Sequence, residues 1–441
     1  MNKNTFVLGA GMTGLAAAFA SNLTAFEAAD SPGGICSSYY VRPGDQERCM
    51  VAPTDGEAYR FEIGGGHWIF GGDPAVLHFM GRFVNLKRYV RQSSVYFQKE
   101  GLYVPFPLQN HLRFFGGDLA ERALAEMAEK QGPFRTMKEW LGKNFGPTLC
   151  ALFFYPFNEL YTAALYDRIA PQDAYKSPVD LSLAIQGAFG KTTPAGYNAT
   201  FAYPKEGLNV LAQGLSNRCL IDHGKRVTHI DTGRNTLSFD DGSTRPYETL
   251  ISTLPLNKVT EMADMPVGPK PDPYTSVLVL NIGAVRGERC PDDHWLYTPD
   301  TLSRFHRVGF YSNVDPSFLP LSARPDRERV SIYVERAYGG GERPTDREIT
   351  QYSNNVVAEL RDWGFISEAE VVDPTWIEVA YTWSWPGSNW KQRALETLQE
   401  RGIYQVGRYG RWVFQGIADS IRDGLLVGSA FKAGRKHPAP S

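Results

Sequence analysis

Apolar positions from Thr5 to Leu8 form a short β-rich run that meets Gly9-Ala10-Gly11-Met12-Thr13-Gly14. An alanine-rich stretch, Leu15 to Asn22, follows, and a second apolar run ends at Glu27. Strand, glycine turn, helix and strand in this order predict a βαβ unit. Asp73-Pro74 opens another helix, an acidic N-cap followed by proline at the first helical position. From Leu119 to Tyr166 the pattern is mostly helical, with aromatics clustered at Phe153-Phe154-Tyr155-Pro156-Phe157. Beyond Tyr203 the spacing changes. Gly207 to Leu215 reads as helix, and Arg226 to Ile230, Thr236 to Phe239 and Thr249 to Leu254 read as short strands. Asp240-Asp241-Gly242 supplies a hairpin turn. Ser276 to Ile282 and Val330 to Tyr333 are further strands, and Thr345-Asp346-Arg347-Glu348 is a capping box whose helix stops at Gly364. A last helix spans roughly Asp419 to Phe431, with a frayed polar tail after Lys432.

At 441 residues the chain holds roughly two to three domains' worth of core. With 42% hydrophobic and 21% charged residues, wholesale disorder is excluded. A formal charge of −2 gives no electrostatic argument for nucleic acid or an anionic membrane, but leaves room for one basic pocket. The five cysteines are scattered and form no CxxC pair, so neither disulfides nor a metal site is expected, and a reducing, cytoplasmic setting is. No apolar run approaches the roughly 20 residues that span a bilayer. The apolar N-terminus has the look of a signal peptide, yet its glycines belong to the turn, and no targeting segment is read.

The glycine turn carries the first chemistry. In a GxGxxG turn between strand and helix, Gly9 permits the bend, Gly11 lets a pyrophosphate approach, and Gly14 allows close packing, with Thr13 beside it. Glu27, 18 positions after Gly9, ends the second strand, where a carboxylate accepts ribose hydroxyls. The expected fold is α/β, a Rossmann-like dinucleotide-binding domain with an inserted mixed α+β substrate domain.

Two more clusters narrow the cofactor. Ser31-Pro32-Gly33-Gly34 follows the acid, and Phe61-Glu62-Ile63-Gly64-Gly65-Gly66-His67 comes later. The combination resembles the flavoprotein group of amine oxidases, protoporphyrinogen oxidases and UDP-galactopyranose mutases, which implies FAD. In that group Gly33, Gly34, Gly65 and Gly66 correspond to positions against the flavin nucleotide. Val227 corresponds to a backbone contact with adenine. Gly407-Arg408 and Ala418-Asp419-Ser420 correspond to a turn and a helix N-terminus directed at the flavin ring. The chain departs from the group between Gly14 and Glu27, which is several residues shorter. FAD motifs at both ends of the chain imply an FAD domain from residues 1–72, 203–262 and 395–434. The substrate domain is then 73–202 and 263–394, with 435–441 a tail.

Within the group the chain most resembles eukaryotic-type UDP-galactopyranose mutases. The matching blocks are Glu62 to Phe70, Tyr166 to Pro171, Asn198 to Pro204, Trp295-Leu296-Tyr297 and Phe305 to Asn313, all in the same order. The resemblance implies attack of the reduced FAD N5 on the anomeric carbon of a nucleotide sugar, with NAD(P)H as an external reductant. Arg168 and Arg307 match the arginines that clamp the diphosphate, and Asn198 a substrate-contacting asparagine. His67 matches the histidine whose loop moves against the flavin. Tyr203 lies in the asparagine block. Trp385 and Phe414 stand where the family has two tyrosines that donate to the diphosphate, and neither carries a hydroxyl. A nucleotide sugar other than UDP-galactopyranose is therefore expected, with Arg304 or Arg411 as replacement donors. The alternative is an FAD-dependent oxidoreductase of the amine oxidase or protoporphyrinogen oxidase type. It would use Tyr381, Trp383 and Trp385 as an aromatic wall and Lys205 near the ring. The oligomeric state is not readable.

Overall fold

Thr5–Leu8 (β1) pairs in parallel with Thr24–Phe26 (β2), the connection running through helix Met12–Ser21 (α1). Thr249–Ser252 flanks β1 on the other side, and Leu220–Asp222 and Ile403–Gln405 complete a five-stranded parallel sheet. Three distant stretches of chain thus build one sheet. The computed structural model describes residues 4–129, 132–172, 179–190, 199–265, 267–268 and 270–436. Asn198 and the tail beyond 436 lie outside the described residues.

Helix α1 begins at Met12, three residues before Leu15, because Gly11 itself is the N-cap; Asn22 closes the helix in the left-handed region at φ 57. Nearly all of α1 is buried, and the C-terminal helix Ile417–Lys436 packs on it backbone to backbone. A Cβ on Gly424 would lie 2.2 Å from the Thr13 carbonyl oxygen, and one on Gly428 2.4 Å from that of Ala17. Only glycine at these positions allows that approach. Val227–Asp231, Thr236–Phe239 and Thr244–Pro246 form a separate antiparallel sheet, turning at Gly242 with φ 80.

The second layer is a seven-stranded mixed sheet ordered Ile366–Thr382, Tyr274–Arg286, Arg329–Gly339, Arg307–Phe310, Trp295–Tyr297, Ser93–Phe97, Leu102–Pro105. Only Trp295–Tyr297 with Ser93–Phe97 is parallel. The strand patterns at Ser276 to Ile282 and Val330 to Tyr333 mark only parts of two of these strands. Ile366–Thr382 escapes sequence reading because, as an edge strand, it is half exposed, charged and able to tolerate Pro374. The helical stretch resolves into Gly117–Ala128, Met137–Leu149, a π-helical turn at Cys150–Phe154, and Tyr155–Tyr161. Both anticipated caps form: Asp73 accepts from the Ala75 N–H, and Thr345 and Glu348 make the capping box.

Candidate functional site

A cavity of about 580 Å³ opens at the C-terminal ends of the parallel strands, where Gly9, Glu27, Thr253 and Val406 line it, and extends to the large sheet. Open α/β sheets bind ligands at this end. Gly9 leaves β1 at φ +90, and a Cβ on Gly14 would stand 1.9 Å from the Gly9 carbonyl oxygen, so both positions demand glycine. Gly11 is different. A Cβ there would meet no protein atom nearer than the Gly33 oxygen at 4.0 Å; it would fill open space in the cradle. Helix α1 starts at this point without a side-chain cap, leaving its first N–H groups for an anion. Glu27 Oε2 accepts the Ala10 N–H at 2.6 Å and Oε1 the Ala29 N–H at 2.9 Å, which fixes the carboxylate at the wall. The Gly33 N–H donates to the Ala10 carbonyl at 2.9 Å and brings Gly33 and Gly34 against the turn. The arrangement fits the pyrophosphate and ribose of a dinucleotide.

Towards the large sheet, the cavity is bounded by Gly64, Gly66 and His67, by Arg408, and by Gly416, Ile417 and Ser420 at the start of the C-terminal helix. Arg408 donates to the carbonyls of Gln415 at 3.2 Å and Ala380 at 3.0 Å. Burial above all, helped by the positive charges of Arg408 and Arg307, lowers the His67 pKa to about 4, so the ring is neutral at pH 7. Its Nδ1 is buried without a hydrogen-bond partner. Gly65 packs on Glu335, and a Cβ there would be 2.8 Å from Oε1.

Glu335 and Arg307 are direct cross-strand partners. The guanidinium grips both carboxylate oxygens at 2.5–3.1 Å. Burial alone would raise the Glu335 pKa, but the charge of Arg307 and contacts from His306 hold it at about 2. Arg307 also lines a second, aromatic cavity of about 140 Å³, as do Tyr381 and Phe414, so the two spaces meet there. Phe157, Tyr161, Tyr297 and Trp383 form much of its wall. His306 faces the same space; both its ring nitrogens are buried without a hydrogen-bond partner, Nε2 standing 3.6 Å from Glu335 Oε2.

Gly9, Gly11, Thr13, Glu27, Gly33, Gly34, Gly66, His67, Arg307, Arg408, Phe414 and Ser420 all line the first cavity. Gly14, Gly65 and Gly407 shape it from behind; a Cβ on Gly407 would be 2.5 Å from Thr13 Oγ1. Other expected residues lie away from the two cavities. The Arg168 side chain is 62% exposed, 3.6 Å from Asp167, and lines neither cavity. Tyr203 is buried in the core, where its hydroxyl donates to Glu62 and has no access to a substrate. Trp385 turns away, its Nε1 donating to the Pro271 carbonyl with Lys270 stacked on the indole, and Trp383 holds the wall instead. Val227 lies in the small antiparallel sheet and Asp419 pairs with Arg422 at 3.3 Å; neither lines a cavity. Lys205 and Arg304 also lie outside both, and so does Arg411, which pairs with Asp423 at 3.0 Å. Glu335 and His306 are the residues that sequence reasoning missed. His306 sits inside the block read for Arg307, and its signal was a histidine in an apolar strand pattern.

Among the described residues no helix is long and apolar enough to cross a membrane. Among solved structures the chain is similar to a reduced UDP-galactopyranose mutase, with 22% identity and TM-score 0.81 over 99% of this chain and 96% of that one. It is also similar to a CLA-producing fatty acid isomerase from P. acnes, with 16% identity and TM-score 0.60 over 98% and 99%. A putrescine oxidase bound to putrescine gives 15% identity and TM-score 0.58 over 98% and 99%. At such identities the likeness is one of fold. The profile of the flavin-containing amine oxidoreductases matches residues 12–427, and with it the chain belongs to that family.

Proposed function

We propose that the protein is an FAD-dependent nucleotide-sugar pyranose/furanose mutase whose preferred substrate is not UDP-galactopyranose. The observation that carries the reading is the meeting of a dinucleotide cradle and an aromatic pocket at one arginine, Arg307. Similarity to a reduced UDP-galactopyranose mutase along almost the whole chain supports it. Gly11, the first turn of α1 and Glu27 would hold the pyrophosphate and ribose of FAD, and Arg408, His67 and the start of the C-terminal helix line the same cavity. Reduced FAD supplies a nucleophilic ring nitrogen for displacement at an anomeric carbon. Arg307 stabilises the departing diphosphate, a task suited to a permanently charged planar fork. His67, being neutral, positions and does not carry charge. The aromatic walls exclude water and so protect an activated sugar from hydrolysis.

The oxidoreductase reading is favoured by one observation: Glu335 cancels the charge of Arg307, and the adjoining pocket is mainly aromatic. The two readings separate by redox stoichiometry. A mutase turns over only when reduced, by dithionite or NAD(P)H, and consumes no oxygen per product. Stoichiometric peroxide with an amine or another reduced substrate, and no sugar isomerisation, would reverse the choice.

A further inference from the structure

Arg307 is held from one side only. Its Nε and Nη2 donate to Glu335 at 2.5–3.1 Å, while Nη1 has no hydrogen-bond partner among the described residues and the side chain is 20% exposed. A guanidinium has two edges that can each meet an anion, one formed by Nε with an Nη group and one by the two Nη groups. Glu335 occupies the first. The Nη1 corner stays unclaimed, on a residue that borders both cavities. Glu335 itself has little room to move. It is 2% exposed, stands opposite Arg307 in the register of two antiparallel strands, and lies against Gly65, where a Cβ would come within 2.8 Å of Oε1. His306 Nε2 is 3.6 Å from Oε2 on the same carboxylate. Arg408, a second cation at the junction, is fixed in another way: its Nη groups donate to the Gln415 and Ala380 carbonyls, and it lies over the rings of Tyr381 and Phe414.

We propose that Glu335 is a positioning residue for anion recognition. It grips the Nε edge of Arg307 throughout, with and without ligand, so that the Nη1 corner is pre-aimed at the diphosphate of a nucleotide sugar. The inference rests on the nucleotide-sugar reading. Aim matters because a donor already in place needs no reorganisation as charge develops on the leaving diphosphate. A misplacement of about 1 Å can cost on the order of 10²-fold. The carboxylate also offsets the charge of the cation, so recognition at this corner depends on geometry more than on net charge.

The test uses the FAD-loaded oxidised enzyme, with UDP and inorganic pyrophosphate titrated as probes. Glu335→Asp keeps the charge but withdraws it by one methylene, and should weaken both probes about tenfold, as should Arg307→Ala. Millimolar methylguanidinium should restore binding in Arg307→Ala, where Glu335 can seat it, but not when Glu335→Ala is added. Parent-like affinity in Glu335→Asp, or equal rescue with and without Glu335, overturns the positioning role and leaves the nucleotide-sugar reading intact. Binding of neither probe by the parent overturns both. Should the Glu335 variants fail to fold, methylammonium serves as the control in Arg307→Ala. It brings the same charge without two parallel N–H groups, and rescue equal to that by methylguanidinium overturns the aim.

Discussion

Ala10 and Glu27 are joined by a 2.6 Å hydrogen bond from the backbone N–H of the glycine turn to Oε2 of the acid that ends β2. The contact fixes the carboxylate to the glycine turn, so that in the proposed FAD site the two would recognise one ligand as a unit. Glu27→Ala should weaken FAD binding by about 1–3 kcal/mol, read by fluorescence titration of apoprotein. Gly11→Val should abolish it, because the added side chain takes the space of the pyrophosphate. Equal affinity in all three proteins would contradict the cradle.

The glycines of the C-terminal helix divide into two kinds. Gly424→Ala puts a methyl 2.2 Å from the Thr13 carbonyl oxygen, so α1 has to shift, at a cost of about 1–3 kcal/mol and with loss of bound FAD. Gly434→Ala meets nothing within 4 Å and should be neutral or stabilising by up to about 1 kcal/mol. Thermal melts of both variants, with flavin content measured alongside, check the contrast.

Two buried groups give opposite pH dependences. Burial raises the Glu62 pKa to about 7, against lowering contacts from Tyr203, Ser38 and Arg60. Its folded value lies above the unfolded one, so the stability it carries is present below about pH 4.5 and is lost as pH rises through 7. His67 runs the other way: held at about 4, it withdraws stability as pH falls from 6.5 towards 4. Denaturant titrations between pH 5 and 8 should show Glu62→Gln losing the alkaline decline, whatever its absolute stability. An unchanged slope would mean that Glu62 is not the group responsible.

The two arginines that the sequence offers as a clamp are unequal in the fold. Arg307→Ala removes the cation at the junction of the cavities and strands Glu335, and should cost about 2–4 kcal/mol in transition-state binding. Arg168→Ala acts on an exposed side chain and should stay within about 1 kcal/mol. Comparing kcat/KM for the two variants tests this ordering.

What the sequence disclosed follows the range of the interactions. Gly9 to Glu27 is one local unit whose residue types follow from backbone geometry, and its turn, helix and strand were readable in order although the helix begins three residues early. Strands Thr5–Leu8, Thr236–Phe239 and Thr249–Ser252 stood out because short apolar runs ended in glycine or polar turns. Arg307 and Glu335 are 28 residues apart and become neighbours only through the register of two antiparallel strands, which no local pattern encodes. The aromatic pocket draws Phe157, Tyr297 and Trp383 from three separate stretches. Phe157 was visible in one aromatic cluster, Tyr297 in a matching block and Trp383 in the Tyr381-Trp383-Trp385 set, but nothing local showed that the three meet. Tyr203 and Trp385 were assigned to substrate from short matching blocks; side-chain direction, set by core packing and by the Pro271 carbonyl, sent them elsewhere.

The central claim, cleavage at an anomeric carbon by a reduced flavoenzyme, is tested by positional isotope exchange. A panel of nucleotide sugars carrying ¹⁸O in the bridge between sugar and β-phosphate is incubated anaerobically with dithionite-reduced enzyme and followed by ³¹P NMR. The account predicts that, for at least one nucleotide sugar, the label moves into non-bridging positions of the β-phosphate, with none moving in the oxidised enzyme or in Arg307→Ala. Retention of the label in the bridge throughout the panel, alongside oxygen-dependent oxidation of an amine or a porphyrinogen, would contradict it.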